Sequence, residues 1–179
     1  MNSAARRLHS ISLGSWEGCD DYADDSDYRG DPAAIRRGWI LVLTSMTNAD
    51  YHKALLAIVI WREARGEPLA GKIGVACVIR NRVNADKVGP GRWTAVITER
   101  FQFSSMTSPG DPTLVEWPQD NDPSWLVCMI VAEGVYNGTT PDNTFGATLY
   151  VNLAVANPEW AHTAVKTVVL GKQTFYREA

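Results

Sequence analysis

Cysteine and histidine are both scarce in this chain, and their spacing argues against the common disulfide and metal sites. The three cysteines lie far apart and form no C-x-x-C pair: they are Cys19, Cys77 and Cys128. Such spacing indicates neither a disulfide framework nor a zinc site. The histidines are isolated, at His9, His52 and His162, and no H-E-x-x-H spacing occurs. The sequence therefore predicts no metal ion and no cofactor.

Positive charge is also limited. Lys and Arg number 17 against 20 Asp and Glu, which gives a formal net charge of -3 and a pI near 5.6. A surface that binds phosphates needs clustered Lys and Arg, so we expect no nucleic-acid partner.

Long hydrophobic runs are missing as well. The longest early run, Trp39–Leu43, is far too short to span a bilayer. No apolar stretch follows Arg6 and Arg7, as it would in a signal peptide. We expect a monomer that is made in the cytoplasm without a signal peptide and that does not insert into a membrane.

The composition divides the chain into two parts. Six aspartates crowd the early segment, at Asp20, Asp21, Asp24, Asp25, Asp27 and Asp31. Because this segment also lacks hydrophobic periodicity, we interpret residues 1–45 as an acidic extension that is flexible or loosely docked. Residues 46–179 are long enough to form one packed domain.

Hydrophobic periodicity predicts three long helices within that domain. They run from about 50 to 65, from 68 to 84 and from 123 to 137. Asn48 or Asp50 is expected to cap the first helix, and Asp122 the third. Gly66 is expected to close the first helix as a left-handed residue.

The remaining segments are shorter. We expect one or two helical turns over 93–99, a loop over 101–123 and an extended segment over 147–152. Residues 165–170 and 173–176 flank Gly171-Lys172 and predict a β-hairpin. The predicted fold class is α+β, mainly helical, with a small C-terminal hairpin.

Two carboxylates, Glu63 and Glu67, stand at the end of the apolar run Ala54–Ile60. Burial raises the pKa of a carboxyl group, so an acid at this place can keep its proton near neutrality and deliver it to a leaving oxygen. Glu63 is nearer the run and is the better candidate. Gly66 and Pro68 indicate that the two carboxylates straddle a helix end.

Other interpretations of these residues stay open. Glu63 also fits a solvated helix end at which it pairs with Arg62 or Arg65. A glycosidase with two carboxylates needs a second acid, and the candidates lie in the long loop: Asp111, Glu116 and Asp120. A nucleophilic triad lacks support, because Ser104 and Ser105 have no glycine elbow.

Several ordered motifs point to one family. They are Glu63–Pro68, Gly74–Val83, Phe101–Ser104, Leu149–Asn152, Asn157–Trp160 and Leu170–Tyr176. In these stretches, from about 51 to 176, the chain resembles the SleB-type cell-wall hydrolases, which include spore cortex-lytic enzymes and phage lysins. The chain departs from the family pattern at Gln173 and at Val151, where the family often has histidine.

The resemblance implies a lysozyme-like fold of the lytic transglycosylase type, with Glu63 as the catalytic acid. It places the family's glutamine-bearing turn, Gln102, Phe103 and Ser104, along the substrate cleft. It further implies that Tyr150 and Asn152 contact the sugar near the scissile bond and that Trp160 shapes the cleft wall.

The resemblance implies peptidoglycan glycan strands as the substrate. The expected reaction cleaves the β-1,4 bond between N-acetylmuramic acid and N-acetylglucosamine and leaves 1,6-anhydro ends. The alternatives are a hydrolytic muramidase of the same fold and a module that binds peptidoglycan without cleaving it. We expect a phage lysin that acts on the wall after release from the host cytoplasm.

Overall fold

The computed structural model describes residues 47–85, 92–100 and 102–179. The acidic extension predicted over 1–45 lies outside these residues, as do Cys19, His9 and Phe101. All of the described residues belong to one unit, Met46–Ala179.

The first helix, α1, spans Asn48–Ala64. Its cap is Thr47 rather than Asn48 or Asp50, so that prediction is wrong. The Thr47 hydroxyl accepts the Asp50 N–H at 3.2 Å, and the Asp50 carboxylate accepts the Thr47 N–H at 2.9 Å. This reciprocal capping box satisfies the N–H groups of both Thr47 and Asp50.

The end of α1 also differs from the prediction. Positive φ angles occur at other glycines but not at Gly66, so Gly66 does not close the helix as a left-handed residue. The buried side chain of Lys72 closes it instead, because its Nζ donates to the carbonyls of Arg65, at 2.9 Å, and Glu67. A cation at a helix C-terminus is favourable for the helix dipole.

The second helix, α2, spans Leu69–Asn84, and almost every side chain from Gly71 to Ile79 is buried. It packs against α1 and against a third long helix, Pro123–Tyr136. Asp122 caps that third helix, as predicted, by accepting the N–H groups of Ser124 and Trp125.

The core lies between these three helices. Its fully buried members include Leu56, Ile60, Ile79 and Val135. Each such side chain stabilises the fold by about 1.5–3 kcal/mol relative to exposure. The thiols of Cys77 and Cys128 are also fully buried, which agrees with their apolar surroundings in the sequence.

The segment between α2 and the third long helix confirms the helical turns predicted over 93–99 and contains more structure than the loop predicted over 101–123. Two short helices, α3 at Trp93–Ile97 and α4 at Ser104–Thr107, precede a 3₁₀ helix at Pro112–Val115. The third long helix is therefore α5. The loop prediction for 101–123 missed α4 because four helical residues leave no periodic pattern.

A three-stranded antiparallel sheet completes the fold. Its strands are β1 at Leu149–Val151, β2 at Val165–Leu170 and β3 at Gln173–Arg177, in the order β1-β3-β2. The predicted hairpin of β2 and β3 is confirmed, with Gly171 at its turn (φ 63°). Tyr150 pairs with Phe175 across β1 and β3, so the sheet extends beyond the predicted hairpin.

A second 3₁₀ helix, Glu159–His162, connects β1 with β2. The α+β, mainly helical fold class is confirmed. Within the described part of the chain, no helix combines the length and the apolar character that crossing a bilayer requires.

Candidate active site

Glu63 lies in the last turn of α1, where the buried face of the helix reaches the surface. Its neighbours Trp61, Arg62 and Ala64 are buried, whereas Glu63 itself keeps partial exposure. As predicted, Glu67 lies beyond the helix end, so the two carboxylates do not share a helix face.

Two hydroxyl groups hold the Glu63 carboxyl group, one on each oxygen. The Ser105 hydroxyl, from α4, donates to Oε1 in a short hydrogen bond. The Tyr150 hydroxyl, from β1, donates to Oε2 at 3.0 Å. The carboxyl group is therefore fixed between a helix and a sheet that are distant in sequence.

Burial raises the pKa of Glu63 above its ordinary value. The hydrogen bonds from Ser105 and Tyr150 oppose this increase, because they stabilise the ionised form, and the negative charge of Asp111 adds to it. The net direction is upward, so Glu63 keeps its proton to a higher pH than an ordinary glutamate. Such a group is suited to general acid catalysis.

Tyr150 stays a proton donor across the physiological range. Burial raises the pKa of its phenol well above the usual value, and the neighbouring charge of Glu63 raises it further. Its hydrogen bond to Glu63 is therefore available whether Glu63 is protonated or ionised.

Asp111 is the nearby carboxylate that the sequence offered as a second acid. Its Oδ2 accepts the Ser104 hydroxyl at 2.6 Å, and its Oδ1 accepts the Thr113 N–H at 2.9 Å and the Thr113 hydroxyl at 2.6 Å. These hydrogen bonds, the one from Ser104 first, lower the pKa of Asp111. The pKa of Asp111 is thus lowered beside a group whose pKa is raised, an arrangement that separates acid from base.

The alternative in which Glu63 merely pairs with a neighbouring arginine is not observed. The Arg62 guanidinium donates to the carbonyls of Ser105 and Glu116. The Arg65 guanidinium lies over the Trp61 ring and pairs with the Glu116 carboxylate.

Three consecutive residues of α2 position the segment that leads to Tyr150. Arg80 donates to the Thr140 carbonyl at 2.9 Å, Asn81 to the Ala147 carbonyl at 2.9 Å, and Arg82 to the Thr148 carbonyl at 2.6 Å. The sequence motif Gly74–Val83 contains these residues. Part of the role of this motif is therefore to position β1 beside Glu63.

The turn Gln102–Ser104 divides into three different environments. Gln102 is exposed and lines a polar cavity of about 200 Å³ together with Arg82, Glu99, Thr148, Leu149 and Glu178. Ser104 is exposed and bonds to Asp111. Phe103 is only 1% exposed, so the structure corrects its assignment: its side chain has no surface for a sugar and instead anchors the turn in the core, below the Arg82 guanidinium.

The other two residues expected in the cleft lie after β1. Asn152 Oδ1 accepts the Ala154 N–H at 3.0 Å and so shapes the turn that follows the strand. Trp160 packs edge-on against Tyr176, with ring centroids 5.5 Å apart. The described contacts join neither residue to Glu63, and their roles toward a substrate stay predictions.

Sequence reasoning missed Ser105, which contacts the acid directly. It considered this serine only as a nucleophile. Residues 104 and 105 are adjacent on a helical turn and point about 100° apart, so only one of them can face Glu63. The sequence has no signal for which one, because that choice depends on how Phe103 is buried.

The described residues contain no cluster of three or more His, Cys, Asp or Glu side chains that could hold a metal ion. The groups that the site brings together are the Glu63 carboxyl group, its two hydroxyl donors and the nearby Asp111 carboxylate.

The chain matches a known protein family in sequence. Residues 66–176 match the model of a family described as cell wall hydrolase. The match begins three positions after Glu63, so it covers Ser105 and Tyr150 but not the acid itself.

Two curated relatives are spore cortex-lytic enzymes. That of Halalkalibacterium halodurans is 31% identical over 127 residues, which cover 71% of this chain and 35% of the relative. That of Oceanobacillus iheyensis is 31% identical over 121 residues, which cover 68% and 40% respectively. The chain therefore spans well under half the length of these relatives.

Two solved structures are similar to this fold. One is the catalytic domain of the germination-specific lytic transglycosylase SleB from Bacillus anthracis, with a TM-score of 0.58 and 26% identity, covering 74% of this chain and 98% of that domain. The other is the catalytic domain of the Bacillus cereus SleB protein, with a TM-score of 0.57 and 28% identity, covering 70% and 89%. The family match and these neighbours together confirm the resemblance seen in the sequence, and the chain belongs to the cell wall hydrolase family.

Proposed function

We propose that this chain cleaves the glycan strands of peptidoglycan as a lytic transglycosylase, at the β-1,4 bond between N-acetylmuramic acid and N-acetylglucosamine. The observation that carries the proposal is the Glu63 carboxyl group, whose pKa burial raises, held between the hydroxyls of Ser105 and Tyr150. The solved neighbour described as a lytic transglycosylase supports the same reaction class.

In the first step, protonated Glu63 donates its proton to the oxygen that bridges the two sugars. The bond between this oxygen and the muramyl C1 breaks, and positive charge develops at C1. The N-acetylglucosamine end leaves with a new hydroxyl group. Glu63 is then a carboxylate that still accepts hydrogen bonds from Ser105 and Tyr150.

In the second step, the Glu63 carboxylate takes the proton of the muramyl C6 hydroxyl. The C6 oxygen forms a bond to C1 and closes a 1,6-anhydro ring. The proton lost in the first step has returned to Glu63, and no water is consumed. One carboxyl group therefore suffices for the whole reaction.

The two hydroxyl donors adjust Glu63 for both steps. Without them, burial alone would make the carboxyl group a weaker acid, and with stronger donors it would be a poorer base. Opposing effects on one pKa thus suit a group that must first give a proton and then accept one.

A hydrolytic muramidase is the second candidate, and one observation favours it. The ionised Asp111 is close enough for its charge to raise the pKa of Glu63. A carboxylate in this place is able to activate a water molecule or stabilise the positive charge at C1.

Mass spectrometry of fragments released from purified sacculi tests the proposal. Anhydro ends are lighter by one water molecule than hydrolysed ends, so the product identifies the reaction. We expect anhydro products from the wild-type chain and from Asp111→Asn, and none from Glu63→Gln. Reducing ends that disappear in Asp111→Asn would establish the muramidase instead.

A non-catalytic module that binds peptidoglycan gives a third result. The protein would then be pulled down with sacculi but would release no fragments at any pH. This outcome would contradict both enzymatic candidates.

As the biological setting we propose a phage lysin, acting as a monomer on the wall after release from the host cytoplasm. The resemblance to a family that includes phage lysins supports it. We expect cells that express the protein internally to lyse only when their membrane is permeabilised. Lysis without permeabilisation would contradict this setting.

A further inference from the structure

Arg62 is a buried cation directly beside the candidate acid. It is 9% exposed, although arginine is rarely buried without a carboxylate partner. Its guanidinium donates to backbone carbonyls: Nη1 to Ser105 at 2.9 Å, and Nη2 to Glu116 at 3.1 Å. The face of the guanidinium lies 5.1 Å from the centroid of the Trp117 ring.

Burial of the Arg62 guanidinium is energetically costly. Desolvation lowers the pKa of Arg62, while the charges of Glu116 and Asp111 oppose that decrease. A planar guanidinium holds its donors in a fixed fork and so binds two carbonyls in one defined geometry, whereas the donors of an ammonium group rotate on a flexible stem. Arg62 therefore ties α1 to α4 and to the segment that follows the 3₁₀ helix.

The carbonyl that Arg62 binds belongs to the residue whose hydroxyl donates to Glu63. Arg62 and Glu63 are adjacent on α1 and point about 100° apart, so they reach Ser105 from different sides. Arg62 binds its backbone, and Glu63 accepts from its side chain. The α4 turn has only four residues and depends on such contacts for its placement.

We propose that Arg62 is a positioning residue for the acid: by fixing the Ser105 backbone, it sets the hydrogen bond that Ser105 donates to Glu63. Its part in glycan cleavage rests on the proposed function. Its effect on Glu63 does not, and can be measured in an inactive protein.

Other groups also face Glu63 and must stay unchanged in the test. Tyr150 approaches from β1, Asp111 from the loop before the 3₁₀ helix, and the Arg82 guanidinium interacts with Tyr150. None of them is altered in the variants below.

The experiment measures the pKa of Glu63 by NMR titration of ¹³C-labelled glutamate carboxyl groups, assigned by comparison with Glu63→Gln. The variants are Ser105→Ala, Arg62→Met and the double variant. Arg65→Met is the matched control, because it removes an equal charge from the same helix end. Arg65 also contacts Glu116, but its described contacts do not include Ser105.

We expect Ser105→Ala and Arg62→Met each to raise the pKa of Glu63, since both weaken a hydrogen bond that lowers it. The double variant should shift the pKa of Glu63 by clearly less than the sum of the two single shifts, because both changes weaken the hydrogen bond from the Ser105 hydroxyl. A small shift beyond Ser105→Ala is expected, since the Ser105 backbone N–H, which Arg62 also places, lowers the same pKa. Arg65→Met should cause a clearly smaller shift. Where Arg62→Met does not fold, Arg62→Lys keeps the charge but loses the two-carbonyl geometry, and a smaller upward shift is expected.

Three results would overturn the proposal. The first is an unchanged pKa of Glu63 in a folded Arg62 variant. The second is a shift in the double variant equal to the sum of the single shifts. The third is a shift no larger than that of Arg65→Met, which would mean a general charge effect.

Where the protein cleaves sacculi, the rate of cleavage provides a second measurement of the role of Arg62. Because Arg62 acts on the acid through Ser105, Arg62→Met should lower kcat by ~10-fold or more and leave KM nearly unchanged. The pH profile should shift in parallel with the pKa of Glu63. A loss of thermal stability with unchanged kcat would mean that Arg62 is only structural. An inactive wild type with the expected pKa shifts would contradict the proposed function but not the role of Arg62.

Discussion

Glu63 and Glu67 belong to one short motif, yet they bond to different kinds of group. Glu63 accepts hydrogen bonds from two side-chain hydroxyls, those of Ser105 and Tyr150. Glu67 accepts the backbone N–H of Lys172, at the turn between β2 and β3, at 2.9 Å. Hydroxyl groups can rotate toward a substrate, whereas a backbone N–H in a tight turn is fixed. The first carboxyl group is suited to change its protonation, and the second joins the start of α2 to the sheet.

This comparison shows that residue type and motif do not decide the role of a carboxylate. The two glutamates differ in their surroundings: one lies in the last turn of a buried helix, and the other lies past the helix end. Substitutions at Glu63 and its contacts should therefore change the activity, whereas substitutions at Glu67 and its contacts should change the stability.

The largest expected effect comes from Glu63→Gln compared with Glu67→Gln. Loss of the acid should lower the cleavage rate by about 10³-fold, because general acid catalysis supplies roughly 10²- to 10⁴-fold. Glu67→Gln keeps a carbonyl oxygen that accepts the Lys172 N–H and should retain most of the activity. Dye release from labelled cell walls measures both rates, and the reverse ranking would assign the acid to Glu67.

A second prediction concerns Gly171, whose turn contacts Glu67. Gly171 has φ 63°, and an added Cβ would contact the Glu67 carboxylate and lie 2.7 Å from Pro68 Cδ. Gly171→Ala should therefore lower the free energy of unfolding by about 2 kcal/mol. Gly66→Ala is the control, since no atom lies within 4 Å of its Cβ position and its φ is not positive.

Chemical denaturation measures this difference between the two alanine variants. The alkaline limb of the pH–activity profile should stay in place in both, because neither touches the Glu63 side. Equal stability of the two variants would show that the Glu67 contact does not constrain the turn.

Tyr150→Phe perturbs a contact of Glu63 rather than of Glu67, and it should have a smaller effect than the changes above. It removes one donor to Glu63, and this hydrogen bond lowers the pKa of Glu63, so the pKa should rise. The reaction needs protonated Glu63, so the alkaline limb of the profile should move to higher pH. The rate on the plateau should fall by ~10-fold, which corresponds to about 1.4 kcal/mol.

Tyr176→Phe is the matched control for this change, since Tyr176 is buried in β3 against Trp160. It should leave the pH profile unchanged. A shift of the limb to lower pH in Tyr150→Phe would contradict the hydrogen bond as described.

The smallest expected effect is on stability as a function of pH. The pKa of Glu63 is raised in the folded state above its ordinary value of 4.5. Between these two pKa values the folded state binds more protons than the unfolded state, so the free energy of unfolding falls as pH rises. Glu63→Gln lacks this loss and should be more stable than the wild type at neutral pH.

Thermal unfolding of wild type and Glu63→Gln across this range tests the sign. The difference should become constant below about pH 4.5, where Glu63 is protonated in both states. The same series on Glu67→Gln provides the comparison. A wild type that gains stability relative to Glu63→Gln as pH rises would contradict the raised pKa.

Local patterns were sufficient to predict several features of the fold. The Asp122-Pro123 pair marks the start of α5 because both its residues act within one turn. The β2–β3 hairpin was equally evident from its alternation around Gly171. The position of Glu63 near the end of a helix also follows from an apolar run that stops beside an acid.

Features that depend on distant contacts were missed. Glycine is typical of helix ends, so the sequence predicts that Gly66 closes α1. The Lys72 side chain from α2 closes it instead, so a contact between two helices overrides the local preference of glycine. Phe103 resembles a cleft residue in its motif, yet it is buried. Ser105 faces the acid from a turn that Phe103 anchors in the core and that Arg62 contacts through the Ser105 carbonyl, and neither contact leaves a pattern in the sequence.

The two donors to Glu63 lie 42 and 87 positions further along the chain. A nascent or truncated polypeptide that ends before β1 contains the carboxyl group but not its second donor. The group acquires its complete environment only after β1 has paired with β3 near the C-terminus. Under the proposed function, cell-wall cleavage is consequently a reporter of complete folding, and fragments that end before the sheet should be inert even where their helices form.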